Sequence, residues 1–433
     1  MPVRMDIMRA HIKTYGCTLN QADSEAMAAV LEGNGIGLAR SQAEADVAVV
    51  NTCTVKRQTA QRILDALKPL DRAGKRIVVT GCMASANKDM IEKYVPGASI
   101  VTPSNIPRIA DAIRGAFSGK RMVLDSYSRL DRLSFFRPAS GVVAKVIISE
   151  GCTSACSFCE TRIARGPLHS FSERYILDAI RCSVANSAKE VQLTSQDVGA
   201  YGADTRTNIA ELMRKISGIR GDFLVRVGMV NPCHIRGFFD EFVDALRDGH
   251  FYKFVHIPVQ SGSDSVLESM RRQYSVKEFE RCVKDLRSSV PGVAIETDVI
   301  VGFPGETEDD FEKSIKLISR VKPEVTNISK FSSRPHTPAS RMKQLSNEEI
   351  SNRGLLMTRA VRAVQRATNL KQVDRRFETL LTEKTPKSLN GRNGSYRQIV
   401  IRNEDVQSGM VLGSRYSVRI TGASANVLYG SVQ

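Results

Sequence analysis

The sequence predicts an α/β chain in three parts. An N-terminal open parallel α/β domain spans 1–125. A central partial (β/α)6 TIM-like barrel with a basic helical extension spans 138–370, and a small closed β-barrel spans 371–433. Three observations predict it. Short apolar runs alternate with helical stretches through the first two parts, as βα units feeding a parallel sheet do. Cysteines recur at the ends of the first series of runs. The tail then changes to short alternating runs punctuated by Gly and Asn, which fit a small barrel.

The first strands are read at AHIKTYG, DVAVVN, KRIVVTG and ASIVTP, with helical patterns between them at Asp23–Glu32 and Ala60–Leu70. Cys17 follows the first strand, Cys53 the second and Cys82 the third. In an open α/β sheet the C-terminal strand ends share one edge, where ligands bind. Cysteines distant in sequence are thus expected as neighbours in space. Three small buried hydrophobes are the plainer alternative, and the repeated strand–Cys placement argues against it.

A charged stretch near 126–140 with little periodicity reads as a linker. The second series follows: VVAKVIIS, EVQLTS, FLVRVG, FVHIPV, AIETDVIVG and VTNISKF. Six units make an incomplete parallel barrel, whose chemistry belongs on the loops after the strands. Residues 341–376 look helical and hold nine Lys/Arg against three Asp/Glu. Arg359, Arg362 and Arg366 recur at three- and four-residue steps, hence on one helix face; a solvated face is the bland reading. The tail's strands are read at FETLLTE, SYRQIVIR, MVLGSRYSVRITG and ANVLYGSV.

The formal charge of +16 points to a polyanionic partner, nucleic acid or an anionic membrane, or to plain solubility. The first residues carry no long apolar segment, and no run reaches the ~18 apolar residues of a membrane span. A cytoplasmic protein without a membrane partner is expected. Nine cysteines in that reducing compartment indicate metal binding or catalysis over disulfides.

The sharpest motif is GCTSACSFCE, with Cys152, Cys156 and Cys159 spaced C-x3-C-x2-C directly after the first barrel strand. Three thiolates on one loop hold three irons of a 4Fe–4S cluster and leave the fourth without a protein ligand, unlike four-Cys ligation. S-adenosylmethionine (SAM) can chelate such an iron through its amino and carboxylate groups. Structural zinc is the rival; it needs four ligands, and the next candidate, His169, lies ten residues on. Phe158, just before the third Cys, is placed to pack near the adenine of SAM or to serve as a core residue.

This spacing, with Phe158, resembles the signature of the radical-SAM superfamily. TYGCTLNQADSE, VVNTCTV and VTGCMA resemble the N-terminal domain of its methylthiotransferases. LTSQDVGAYG, HIPVQSGSD, TDVIVGFPGETEDDF and SSRPHTPAS resemble that family's barrel segments, and the tail resembles the RNA-binding TRAM barrel. The resemblance implies a sulfur-group transferase with two 4Fe–4S clusters, an auxiliary one on Cys17, Cys53 and Cys82 and a radical-SAM one on Cys152, Cys156 and Cys159. It implies two uses of SAM: one methylates a sulfur at the auxiliary cluster, the other makes the radical that removes hydrogen from an unactivated C–H. An electron-donor protein and a sulfur source are implied as partners. Gln196, Gln260 and Asp298 are candidates to hydrogen-bond SAM or the target base, or are loop polar residues with local partners. Gly302 and Gly305 allow close backbone approach to SAM or form an ordinary turn. Cys182, Cys233 and Cys282 match no ligand position and are expected as buried, unreactive thiols.

The family's branches act on N6-threonylcarbamoyladenosine in tRNA, on isopentenyladenosine in tRNA, or on a ribosomal-protein aspartate. Basic charge and the TRAM-like tail favour RNA, since Lys and Arg neutralise phosphates; the anticodon loop offers the unpaired base such readers prefer. Arg359, Arg362 and Arg366, together with Arg392, Tyr396 and Arg397, are candidates for the RNA surface. The segment ETRIARGPLHS, with Arg162, Arg165 and Gly166, looks most like the archaeal and eukaryotic threonylcarbamoyladenosine branch. Without the C-terminal anchor of animal relatives, the archaeal form is expected. The alternatives are the other two substrates and a non-catalytic RNA-binding protein with structural metal.

Overall fold

A computed structural model describes residues 8–54, 57–129 and 141–432. The expected linker falls mostly outside them.

Strands β1 (Arg9–Thr14), β2 (Gly37–Leu38), β3 (Val47–Thr52), β4 (Arg76–Gly81), β5 (Ser99–Val101) and β6 (Val123–Leu124) form one parallel sheet. Its order is β2-β1-β3-β4-β5-β6. Strand β3, VAVVNT, is buried along its whole length, the continuous apolar run of a strand covered on both faces. Alternation divides it: Val49 and Val78 join one apolar cluster, Val50 and Val79 another. This order sets β1, β3 and β4 side by side, so their C-terminal ends meet.

The central unit contains β7 (Val143–Ile147), β8 (Ser149–Glu150), β9 (His169–Ser170), β10 (Glu190–Thr194), β11 (Leu224–Arg226), β12 (Phe254–His256), β13 (Ala294–Val301) and β14 (Val325–Lys330). Strands β7, β10 and β11 are parallel neighbours, as are β12, β13 and β14. A parallel bridge between Val225 and Phe251 joins the two triplets into an open six-stranded arc. Val146, Val191, Val225, Val255 and Ile295 enter the largest apolar core beneath the helices. Their strand neighbours Lys145, Gln192, Arg226, His256 and Glu296 therefore face the lumen. The short antiparallel pair β8–β9 brackets the cysteine loop.

The tail closes as β15 (Arg376–Thr385), β16 (Ser388–Asn393), β17 (Gln398–Arg402), β18 (Arg415–Ala423) and β19 (Leu428–Val432) in the order β15-β16-β17-β19-β18. Leu381, Ile399, Ile401, Val418 and Ile420 fill it. Strand β16, SLNGRN, lacks apolar alternation and escapes a sequence reading; Gly391 lets it approach β15, where a Cβ would stand 2.6 Å from the Leu380 carbonyl.

This small barrel docks at the starts of the central strands. The Lys253 amide donates to the Gly394 carbonyl (2.8 Å), Ser395 Oγ to the Gly292 carbonyl (2.7 Å), and Arg415 pairs with Asp222 (2.8 Å). One helix, Asn347–Leu370, links the two ends. Near its start Ile350 packs where a Cβ on Gly302 would stand, and at its end Asn369 donates to the Ser424 and Ala425 carbonyls. Its 24 residues span ~36 Å. Among the described residues no helix is long and apolar enough to cross a membrane.

Candidate cluster and cofactor site

Each Cys trio begins with a Gly–Cys step that only glycine fits. Gly81, before Cys82, has φ +89° with a Cβ position occupied by the Asn51 side chain and the Thr52 backbone; Gly151, before Cys152, has φ +76° against the Pro167 carbonyl. Gly16 behaves alike, and the place of its absent Cβ lies 3.1 Å from Cys53 Sγ.

Cys17 and Cys82 of the first trio flank Asn20. Its Oδ1 lies 4.0 Å from Cys17 Sγ and 3.8 Å from Cys82 Sγ, while its amide holds the Tyr15 and Thr52 carbonyls at 2.8 Å. Arg165 Nε donates to Cys82 Sγ at 3.3 Å. Burial pushes the Cys82 thiol up to about 12, with the Arg165 charge opposing. The second trio lies on the β8–β9 loop. There the Ser154 amide donates to Cys152 Sγ, the Thr161 amide to Cys159 Sγ (both 3.3 Å), and Arg272 Nη1 to Cys156 Sγ (3.2 Å). Burial, then the nearby Asp197, raises Cys152 to about 11; burial also raises Cys159.

The donor sets suit clusters. Each trio presents three thiols and leaves one corner of a cubane to another ligand. A guanidinium at each trio, buried Arg165 and half-buried Arg272, is a hydrogen-bond donor that would stabilise cluster-bound sulfur. Loading must displace the thiol protons that burial retains.

The two domains meet beside Cys82. The helix Cys82–Ala86 packs on the helix Thr161–Arg165, with Ala164 against Cys82 and Ala86. Arg165 is fully buried between Asp23 (2.7 Å) and Glu150 (3.1 Å) and also donates to Asn20 Oδ1 (3.0 Å). Burial opposes its charge, and Asp23, Cys82 and Glu150 outweigh that. Glu160 reaches back to Thr54 and Asn87.

Of the other expected residues, Phe158 packs with Phe303, Phe331 and Ile300, beside Gly302. The Gly302 amide donates to Glu306 (2.7 Å), which Arg353 of the long helix holds at 2.8 Å. Gln196 keeps a buried side-chain oxygen without a partner. Gln260 sits at φ +70°, its amide donating to the Asp298 carbonyl. Asp298 accepts from His256 Nε2 (2.9 Å) and Asn327 (2.9 Å). Burial raises its carboxyl, but His256 and Asn327 bring it below the ordinary value.

The sequence reading missed a chain at the loop tip, Thr153–His234–Asp197. His234 lies 3.0 Å from Thr153 and 2.8 Å from Asp197. Burial lowers His234, yet the Asp197 bond prevails and raises it to about 10. The NPCHI segment carries no spacing that would have flagged it.

Two expectations are corrected. Arg392, Tyr396 and Arg397 do not form an open RNA-facing surface. Arg392 pairs with Glu190 (3.4 Å), Tyr396 Oη accepts from Gln192 (3.0 Å), and Arg397 pairs with Glu324 (3.3 Å), all on the central unit. Cys182 is exposed on its helix; Cys233 and Cys282 are half-buried. Arg359, Arg362 and Arg366 are exposed along the long helix, without an ion pair among the described residues.

Two docked α/β units, each bearing a cysteine trio at its strand ends, define a radical-SAM protein with an N-terminal cluster domain. The Radical SAM superfamily model matches residues 146–318, and the model of protein family UPF0004 matches residues 9–102. The chain belongs to the threonylcarbamoyladenosine tRNA methylthiotransferase family. It is 37% identical to a probable member from Pyrococcus horikoshii over 92% of this chain and 97% of that one. It is 37% identical to one from Archaeoglobus fulgidus over 98% and 99%, and 33% identical to the Homo sapiens enzyme over 91% and 69%. Among solved structures, the radical SAM methyltransferase TsrM from Kitasatospora setae, with cobalamin and a [4Fe-4S] cluster bound, shares the fold at a TM-score of 0.59. The identity is 16%, over 78% of this chain and 74% of that one.

Proposed function

We propose that this chain replaces the C2 hydrogen of N6-threonylcarbamoyladenosine at position 37 of tRNA with a methylthio group. It does so in the cytoplasm, with electrons from a donor protein and sulfur from a separate source. One observation supports the reading: Arg165, from the helix that follows the second trio, is buried against Asp23 and Glu150 and donates to Cys82 Sγ of the first. A cluster held by Cys152, Cys156 and Cys159 would, once reduced and with SAM bound, supply radical chemistry at a C–H that no side-chain base can activate.

This chain's residues supply placement. Cys152, Cys156 and Cys159 hold one cluster and Cys17, Cys53 and Cys82 the other. Arg272 and Arg165 donate to the sulfurs of Cys156 and Cys82 and hold the negative charge there. Phe158 and Gly302 shape one wall of the SAM site, and Gln196 and Gln260 offer amides at its rim. The RNA partner is supported by the +16 charge and by Arg359, Arg362 and Arg366. These three arginines line the one helix that runs from the cluster end to the terminal barrel.

Mass spectrometry of tRNA nucleosides from a deletion strain tests the reaction; retained 2-methylthio product would refute it. Anaerobic iron analysis tests the sites. About eight irons per chain should fall to about four when either trio is changed to alanine.

A further inference from the structure

A filled parallel barrel packs its interior with layers of branched apolar side chains. This lumen is charged instead. Lys145, Gln192 and Arg226 stand in one register row, and His256 and Glu296 in another. Lys145 is taken up by Glu25 of the N-terminal domain at 2.8 Å. Asp298 is held by His256 and Asn327, and Asn327 also donates to Glu296 at 2.8 Å. Arg226 makes one long ion pair, to Glu296 at 3.9 Å, beyond hydrogen-bond length, and its Nε is buried without a hydrogen-bond partner among the described residues. The guanidinium lies against the rings of Phe254 (5.4 Å) and Tyr396 (5.8 Å), which close the floor beneath it. The row of Arg226 is two residues short of the end of β10, hence ~7 Å below the mouth.

We propose that this lumen is the subsite for the polar arm on N6 of the target base, and that Arg226 pairs with its carboxylate. The inference rests on the proposed function and names the residue that reads the substituent. A guanidinium with an unpartnered Nε and only a long ion pair, set over an aromatic floor, suits a carboxylate, which accepts from it in a bidentate pair. Glu296 and Asp298 accept from the hydroxyl and N–H donors of the same arm. An isopentenyl arm would leave all these groups desolvated and unmatched, so the lumen selects against it.

The test uses the full chain, anaerobically reconstituted, with three anticodon stem-loop RNAs: one with threonylcarbamoyladenosine, one with its neutral carboxamide, one with isopentenyladenosine. The wild type should show a KM about ten- to hundredfold higher for the carboxamide, the loss expected for a charged hydrogen-bonded pair. The isopentenyl RNA should yield no product. Arg226→Met should raise KM for the acid and erase the difference between acid and carboxamide, and Arg226→Lys should restore part of that difference. Equal KM values in the wild type would overturn the subsite and leave the reaction standing. Absence of product from the acid RNA would overturn both.

Discussion

Arg165 shows how much one side chain decides. Its guanidinium is fully buried and touches Asp23, Glu150, Asn20 and Cys82, drawn from both domains. Replacing it with Met strands two buried carboxylates, a loss of ~3–5 kcal/mol for a broken buried pair. Anaerobic denaturant unfolding of Arg165→Met should show that loss. Arg165→Lys should recover only part, because an ammonium cannot reproduce the fork. The six cysteines were legible in the sequence because strand ends and tight spacing are local signals. The role of Arg165 was not. Its partners lie 15 to 145 residues away, and no periodicity connects them.

The start of the helix Glu308–Val321 carries a second testable claim. Thr307 and Asp310 form a reciprocal capping box, and Asp310 also accepts from Ser263 (2.5 Å) and Ser265 (3.2 Å) at the start of the helix Asp264–Ser269. Burial raises the Asp310 carboxyl, but these hydrogen bonds prevail and hold it at about 2. Its folded value lies below its unfolded one, so the stabilisation is complete above about pH 4 and is lost as pH falls through about 2. Asp310→Asn should therefore cost ~1–2 kcal/mol at pH 7. In unfolding of the metal-free chain, that gap should close below pH 4. The long helix Asn347–Leu370 makes a claim of its own. Its arginine row was visible as a three- and four-residue step; its route from mouth to terminal barrel was not, since that depends on where the tail docks. Changing Arg359, Arg362 and Arg366 together to Gln should flatten the logarithmic salt dependence of tRNA binding by about 2–3. An unchanged slope would remove the helix from the RNA surface.

At the scale of the whole molecule, the terminal barrel is a floor for the central one as well as a module beside it. A sequence reading sends Arg392, Tyr396 and Arg397 to an RNA surface because the chain is basic and its tail resembles an RNA-binding barrel. The fold turns them toward the central unit, where Glu190 opens β10 and Glu324 immediately precedes β14. Tyr396 adopts φ +59°, a conformation a tyrosine keeps only where its surroundings impose it. Its ring lies 4.9 Å from those of Tyr252 and Phe254, with Arg392 above it at 4.3 Å. Burial, then the carboxylate of Glu190, pushes its hydroxyl up to about 12. A half-buried aromatic packed on two rings and flanked by arginines is the kind of residue that anchors an interface, and truncating one loses ~2–4 kcal/mol of docking. Tyr396→Ala should therefore loosen the terminal barrel. Hydrogen exchange should rise at the amides of 393–397 and of Lys253, whose amide bonds Gly394 across the joint. Both trios sit at the opposite ends of their strands, so iron content should hold while exchange rises. Iron lost in step with the amide protection would mean that the two ends of the barrel do not act independently.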